Sequence, residues 1–220
     1  MSVVIFGTGK AAEMAFKYME RDGIKIASFT ADKEFIKDSE LFGRSLIPFE
    51  SVEKTFPPSE FQMLVAIGHT RLNALRKEKF NAAKAKGYQL ASYISPDNHV
   101  WENAKFGDNC LVLENQVIQP NVNVGDDTVI WSGNHFGHDV KIGNHVFIAS
   151  HAVIGGGASI GDNCFIGMNA TIRNHVNIAP NCLIGAGALI LKDTKEGDVF
   201  VAEQTKRYPL NSNKFEELFG

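Results

Sequence analysis

His138-Asp139 is the pair in this chain best suited to chemistry, and a count of eighteen residues shows why. Eighteen beyond Gly137-His138-Asp139 stand Gly155-Gly156-Gly157. If the chain winds back on itself with that period, the His138 imidazole lies beneath a stretch with no side chains. It then has free room beside it, and the Gly156 amide is uncovered. A base next to an exposed backbone donor is what acyl transfer needs. The imidazole takes a proton from an attacking amine or hydroxyl. The backbone N–H stabilises the oxyanion that forms. A carboxylate can orient the ring and raise its basicity. Asp139 is the nearest, although neighbours in a strand point to opposite faces, so the pair requires a bend. His135, three residues earlier, is the rival base.

The winding follows from a repeat. Every sixth residue from Ile94 to Ile190 is apolar, 17 positions without a break, in a chain that is 44% apolar. Chance gives this on the order of once in a million, so the period sets the fold. No α-helix or ordinary strand has period six. A chain that turns after every short strand does, and three strands close a triangular coil of eighteen residues. Coils then stack as parallel strands about 4.8 Å apart. The apolar residue and a small or β-branched residue two before it, such as Cys110, Val146 or Ala170, point inward. Glycine follows the apolar residue in about half of the hexads, where a bend with positive φ is expected. His145, His151 and His175 fall on different faces, so a metal site within one copy is not expected; zinc shared at a trimer axis is the alternative. Cys110, Cys164 and Cys182 fall on one interior column, as small buried hydrophobes in a reducing compartment.

The first ninety residues read differently. Strands are expected at Ser2–Phe6, Ile24–Thr30, Gln62–Ile67 and Gln89–Ile94, with helices after Gly9 and over Arg71–Lys86. That alternation implies a small parallel sheet. Gly7-x-Gly9-x-x-Ala12 opens the first helix directly after a strand, where backbone N–H groups can hold a phosphate. Asp32 stands near the end of the second strand, where it can accept from a ribose hydroxyl. Gly68-His69 follows the third strand at the same sheet edge. The segment is too short for two mononucleotide halves, so a nucleotide half-site is the expectation. Domains are placed at 1–94 (α/β), 95–207 (prism) and 208–220 (tail), with Phe215, Leu218 and Phe219 packing from a short helix.

Net charge is −3, which argues against nucleic acid or an anionic membrane as partner. There is no run of eighteen apolar residues, and no basic-then-apolar leader opens the chain, so a cytoplasmic protein is expected.

The hexads resemble those of the left-handed parallel β-helix acyltransferases. With the small α/β domain, the Ser95-Pro96 junction and the short tail, residues 2–207 are similar to the sialic acid O-acetyltransferase-like family, near bacterial N-acetyltransferases of nucleotide-linked amino sugars. The resemblance rests on His138-Asp139-Val140-Lys141-Ile142-Gly143. It implies His138 as general base, Asp139 as its support and Gly156 as oxyanion donor. It implies acetyl-CoA or another acyl-CoA as co-substrate, in a groove between two prisms of a homotrimer, near Phe147, Met168, Ala186 and Lys206. The nucleotide would lie on Gly7, Thr8, Gly9, Asp32, Gly68 and His69, and the acceptor sugar by Asn134 and His135. Four features depart from the family pattern, among them Asn134-His135 before Phe136-Gly137-His138. One acidic residue follows the second strand instead of two, Phe147 replaces a common histidine, and Gln204-Thr205 replaces Pro-Ala. The implied reaction is acylation of the amine of a UDP- or dTDP-linked amino-deoxy sugar for surface glycans, with no metal. The alternatives are sialic acid O-acetylation, a γ-carbonic anhydrase type of metalloenzyme, and a non-catalytic scaffold.

Overall fold

The computed structural model describes residues 1–219, apart from the side chains of Leu218 and Phe219; the packing expected of those two therefore lies outside the described residues. Strand β1 (Ser2–Phe6) leads through Gly7-Thr8-Gly9 into α1 (Lys10–Arg21) and back to β2 (Ile26–Ala31). Then come β3 (Glu40–Leu41), β4 (Arg44–Pro48), α2 (Val52–Thr55), β5 (Phe61–Val65) and α3 (Ala74–Ala85). The sheet order is β3-β4-β2-β1-β5. It is parallel except for the β3–β4 pair. β3 and β4 escape sequence reading because Arg44-Ser45-Leu46-Ile47-Pro48 carries neither an apolar run nor a clean alternation. Its place is fixed by tertiary bonds: Ser28 Oγ donates to the Ser45 carbonyl at 2.7 Å, and Thr30 Oγ1 to that of Ile47 at 2.9 Å. The fourth strand read from sequence is shorter. Leu90 bridges Met63, while Tyr93–Ile94 pairs with Leu111–Val112 of the prism.

From Tyr93 to Phe200 the chain makes two-residue strands that stack in parallel at eighteen-residue intervals up to Ile190, in three sheets. The first face runs from Tyr93–Ile94 through Phe147–Ile148 to Val199–Phe200. On the second lie His99–Val100, Val117–Ile118, His135–Phe136, Val153–Ile154, Thr171–Ile172 and Leu189–Ile190. The third runs from Lys105–Phe106 to Asn177–Ile178. Hexad residues and those two before them fill the interior, with Ile130, Ile148, Ile166 and the three cysteines fully buried. Each such aliphatic side chain contributes roughly 1.5–3 kcal/mol of burial.

The turns correct one expectation. Positive φ does not fall on the glycine after each apolar residue. It falls two residues later, on asparagine, aspartate or histidine: Asn109, Asn121, Asp127, Asp139, His145, His151, Asn163 and His175 all have φ between 55° and 65°. Short polar side chains tolerate this left-handed region best after glycine. The hexad glycines answer a different demand, the close approach of the next coil. A Cβ on Gly137 would lie 2.4 Å from the Gly156 amide nitrogen. His145, His151 and His175 are thus turn residues. The rings of His151 and His175 lie over Gly133 and Gly157 from the next coil up, and His145 is buried with Nδ1 2.8 Å from Asp127.

The α/β domain covers the first face. Val3, Ile5 and Leu64 join Leu111, Leu113, Val129 and Phe147 in one apolar cluster. At its edge Arg76 of α3 is fully buried. It donates to the carbonyls of Asp127, Val146 and Gly68 and pairs with the Asp127 carboxylate at 3.3 Å. Asp127 also accepts from Asn109 Nδ2 at 2.7 Å, and Asn109 in turn exchanges two hydrogen bonds with the Val65 backbone. No helix among the described residues is long and apolar enough to cross a membrane. In α4 (Ser212–Phe219), Phe215 meets Tyr208 edge-on.

Candidate active site

His138 sits at the corner between the second and third faces, two residues past the strand His135–Phe136. Two-residue strands leave four residues to turn each corner, so a side chain there projects outward. Directly above is Gly156. A Cβ built on it would stand 2.7 Å from His138 Nε2, so the missing side chain is the space the imidazole uses. The His138 carbonyl accepts from the Gly157 N–H at 2.7 Å, which locks the two coils in register. The Gly156 N–H has no hydrogen-bond partner among the described residues. Gly137 leaves it uncovered from below, where any Cβ would collide with it.

Asp139 supplies the bend. Its φ of 61° turns the carboxylate back toward its neighbour, placing Oδ2 2.8 Å from His138 Nδ1. The other oxygen accepts from Asn121 Nδ2 at 2.9 Å, one coil below. These contacts, that of His138 first and that of Asn121 second, hold the Asp139 carboxyl below the usual aspartate range. Gln119 Oε1 accepts from the His138 backbone N–H at 2.9 Å. Asn121 and Gln119 were missed in the sequence, though both lie eighteen residues before turn positions of the site. A groove of about 750 Å3 opens beneath the ring, lined by His99, Val100, Trp101, Val117, Ile118, Gln119, Pro120 and His138.

Three expected site residues are elsewhere. Asn134, expected at the acceptor sugar, is buried and points into the prism. Its Nδ2 donates to Gln116 Oε1 and the Trp131 carbonyl, and its Oδ1 accepts from the Ala152 N–H at 2.7 Å. It occupies the inward column two before Phe136, where its polar groups are spent on the backbone. Phe147, expected at the thioester, is 6% exposed and stacks on Phe165 within the interdomain core. His69, expected at the nucleotide, instead lays its ring against Phe147 and Phe165, at 4.9 Å from each centroid. His135 projects from the second face between Val117 and Val153, not beneath the glycines.

Met168 and Ala186 are exposed on successive coils at a different corner, between the first and second faces. Lys206 is exposed in the extended tail.

A second cavity, of about 590 Å3, lies in the α/β domain at the ends of β1, β2 and β5. Gly7, Thr8, Gly9, Asp32 and Gly68 line it as the sequence implied, without His69. Gly7 has φ 131°, and a Cβ there would lie 2.7 Å from the Ala66 carbonyl oxygen, so the turn requires glycine. Lys79 of α3, unforeseen, closes on Asp32 at 2.8 Å. Gly68 is steadied through its carbonyl by Arg76. Among the described residues no cluster of three or more His, Cys, Asp or Glu is arranged to hold a metal ion.

Residues 121–156 and 157–192 match the family model of the bacterial transferase hexapeptide (six repeats). No curated protein sequence matches the chain. Among solved structures, it is similar to a His-to-Asn mutant of perosamine N-acetyltransferase from Caulobacter crescentus in complex with CoA and GDP-perosamine. That likeness has 22% identity and a TM-score of 0.83, covering 90% of this chain and 92% of the other. The acetyltransferase domain of PglB from Neisseria gonorrhoeae is 24% identical, with a TM-score of 0.81 over 90% and 95% of the two chains. WeeI from Acinetobacter baumannii is 14% identical, with a TM-score of 0.56 over 92% and 97%. Residues 121–192 are therefore bacterial transferase hexapeptide repeats, and the prism that holds them has the fold of a left-handed parallel β-helix behind a small α/β domain.

Proposed function

We propose that this chain transfers the acyl group of acetyl-CoA, or of another acyl-CoA, to the amine of a nucleotide-linked amino sugar. One observation carries the reading: a histidine steadied by a carboxylate, its Nε2 facing a glycine whose N–H is free. His138 Nε2 takes the proton of the amine as nitrogen bonds to the thioester carbon. Asp139 holds the ring through Nδ1 and balances the imidazolium. The oxyanion accepts from the Gly156 N–H. Collapse breaks the carbon–sulfur bond, and the thiolate recovers a proton from the ring. Perosamine N-acetyltransferase, similar in fold, has been solved with CoA and GDP-perosamine, which supports the same pair of substrate classes here.

The separation of the parts along the prism supports a site built from two copies. The α/β domain covers the first face, and His138 stands on the corner opposite it. A sugar held in that domain's cavity is therefore turned away from the base of its own chain. Met168 and Ala186, proposed with Lys206 to hold the acyl-CoA, stand at the other edge of the second face. That face carries an outward column with Val117, Val153 and Leu189, each exposed, the last to 61%. Packing it against neighbours in a closed ring of three buries the column and brings the separated parts together. It also removes water from His138 and Asp139, which are 57% and 55% exposed in the single chain.

The test is release of CoA thiol from acetyl-CoA in the presence of a panel of nucleotide-linked amino sugars. Turnover that depends on an amino sugar and ceases with its hydroxy counterpart supports the reading. Turnover with free sialic acid and with none of the amino sugars replaces it with O-acetylation.

A further inference from the structure

We propose that the cavity of the α/β domain is built for a guanine base, held by Glu34 and Phe35; this rests on the nucleotide-sugar reading above. The order of groups along the cavity sets where a base must lie. Phosphates belong at the amides of Gly7-Thr8-Gly9 before α1. A ribose belongs at Asp32, just past the end of β2. The chain runs from Asp32 straight into the short turn Lys33–Phe35, so the next group outward meets Glu34 and Phe35.

Phe35 is 60% exposed, large and apolar, and its side chain borders the cavity, with Ile67 and Leu75 also lining it. A flat ring of this kind stacks on any base and does not choose among them. The choice falls to polar groups. Three carboxylates line the cavity. Asp32 is held by Lys79 at 2.8 Å, and Glu78 by Arg71 at 2.9 Å. Glu34 has no hydrogen-bond or ion-pair partner among the described residues. An ionised carboxylate only accepts, through two parallel oxygens. Guanine answers it with two adjacent donors, the ring N1–H and the exocyclic amine. Uracil and thymine offer a single N–H between two carbonyl oxygens, which a carboxylate repels. Adenine sets its amine beside a ring acceptor. The cavity's chemistry therefore favours a guanosine diphosphate sugar over the uridine or thymidine ones implied by sequence resemblance.

Titration calorimetry of the full chain with GDP, IDP, UDP and dTDP tests this. IDP differs from GDP only in lacking the exocyclic amine. GDP is expected to bind about tenfold tighter than IDP, and tighter still than UDP or dTDP, because a bound base covers the exposed Glu34 carboxylate and IDP then leaves one of its oxygens without a donor. In Glu34→Gln the difference between GDP and IDP should shrink to about twofold. Tighter binding of UDP or dTDP, or an unchanged ratio in the variant, overturns the guanine assignment and leaves the nucleotide reading intact. Failure of all four diphosphates to bind overturns both.

Discussion

His138 Nδ1 and Asp139 Oδ2 lie 2.8 Å apart although the two residues are adjacent in the chain. Only the left-handed turn at Asp139 makes that contact, since an extended pair would diverge. The same turn conformation recurs along the prism on residues that do no chemistry, so the site borrows a repeat feature of the scaffold.

Asp139→Asn tests the borrowed turn. Asparagine keeps the left-handed φ but removes the charge. The Asp139 carboxyl is held below its ordinary range by His138 first and Asn121 second. A lowered folded value means its contribution to stability is present above the unfolded aspartate value of about 4, and is lost as pH falls through the folded one. The carboxylate is therefore ionised throughout the neutral range, and screening by water keeps its effect on stability small. The variant should lose about 10- to 100-fold in kcat at neutral pH with Tm unchanged. An unaltered kcat contradicts the role given to Asp139.

Gly156→Ala tests the space beside the imidazole. The backbone there accepts alanine, because its φ lies outside the left-handed region. The new Cβ would stand 2.7 Å from His138 Nε2 and displace the ring. Expected is a fall in kcat of at least about 100-fold with little change in Tm. Gly157→Ala should show the reverse priority, losing stability first, because its φ is 67° and a Cβ would meet His175 Nδ1 at 2.4 Å. Equal effects of the two substitutions on kcat and Tm would contradict this division.

Arg76 tests the join between domains. Burial pushes its guanidinium pKa down while the Asp127 carboxylate opposes that shift. Removing one partner leaves the other charged and dry, at a cost of about 3–5 kcal/mol. Arg76→Ala should lower unfolding stability in urea by that amount. Because Arg76 also steadies the Gly68 carbonyl, nucleotide affinity should weaken with it. A stability change below about 1 kcal/mol, the range of an exposed pair, contradicts the account.

Val153 lies mid-column on the exposed second face, 43% accessible in the single chain. Val153→Glu leaves a lone prism indifferent but puts a charge into a face-to-face contact. Sedimentation should show a trimer for the natural chain and a smaller species for the variant, with activity lost alongside. A variant that stays trimeric would move the interface to another face.

Much of this was legible from a period of six. Ile94 to Ile190 gave the coil, and eighteen-residue arithmetic placed His138 below Gly156, as the 2.7 Å Cβ distance confirms. The same arithmetic, applied to Asn134, puts it in the inward column with Gln116 and Ala152, against its reading as a sugar contact. What the period could not reveal was how the α/β domain docks. Phe147 and His69 looked free in sequence because nothing in either segment states that they face each other. Lys79 and Asp32, 47 residues apart, meet only once the sheet is assembled. β4 stayed hidden for the same reason, being held by side-chain bonds from Ser28 and Thr30 rather than by its own pattern.

The most direct measurement is the kcat of His138→Ala with acetyl-CoA and the amino-sugar nucleotide that the natural chain turns over. Loss of a general base predicts a fall of about 100- to 10,000-fold, with the Kd for CoA and the Tm little changed. A kcat within about twofold of the natural chain would show that no proton passes through this imidazole, and would move the chemistry to His135 or to positioning alone.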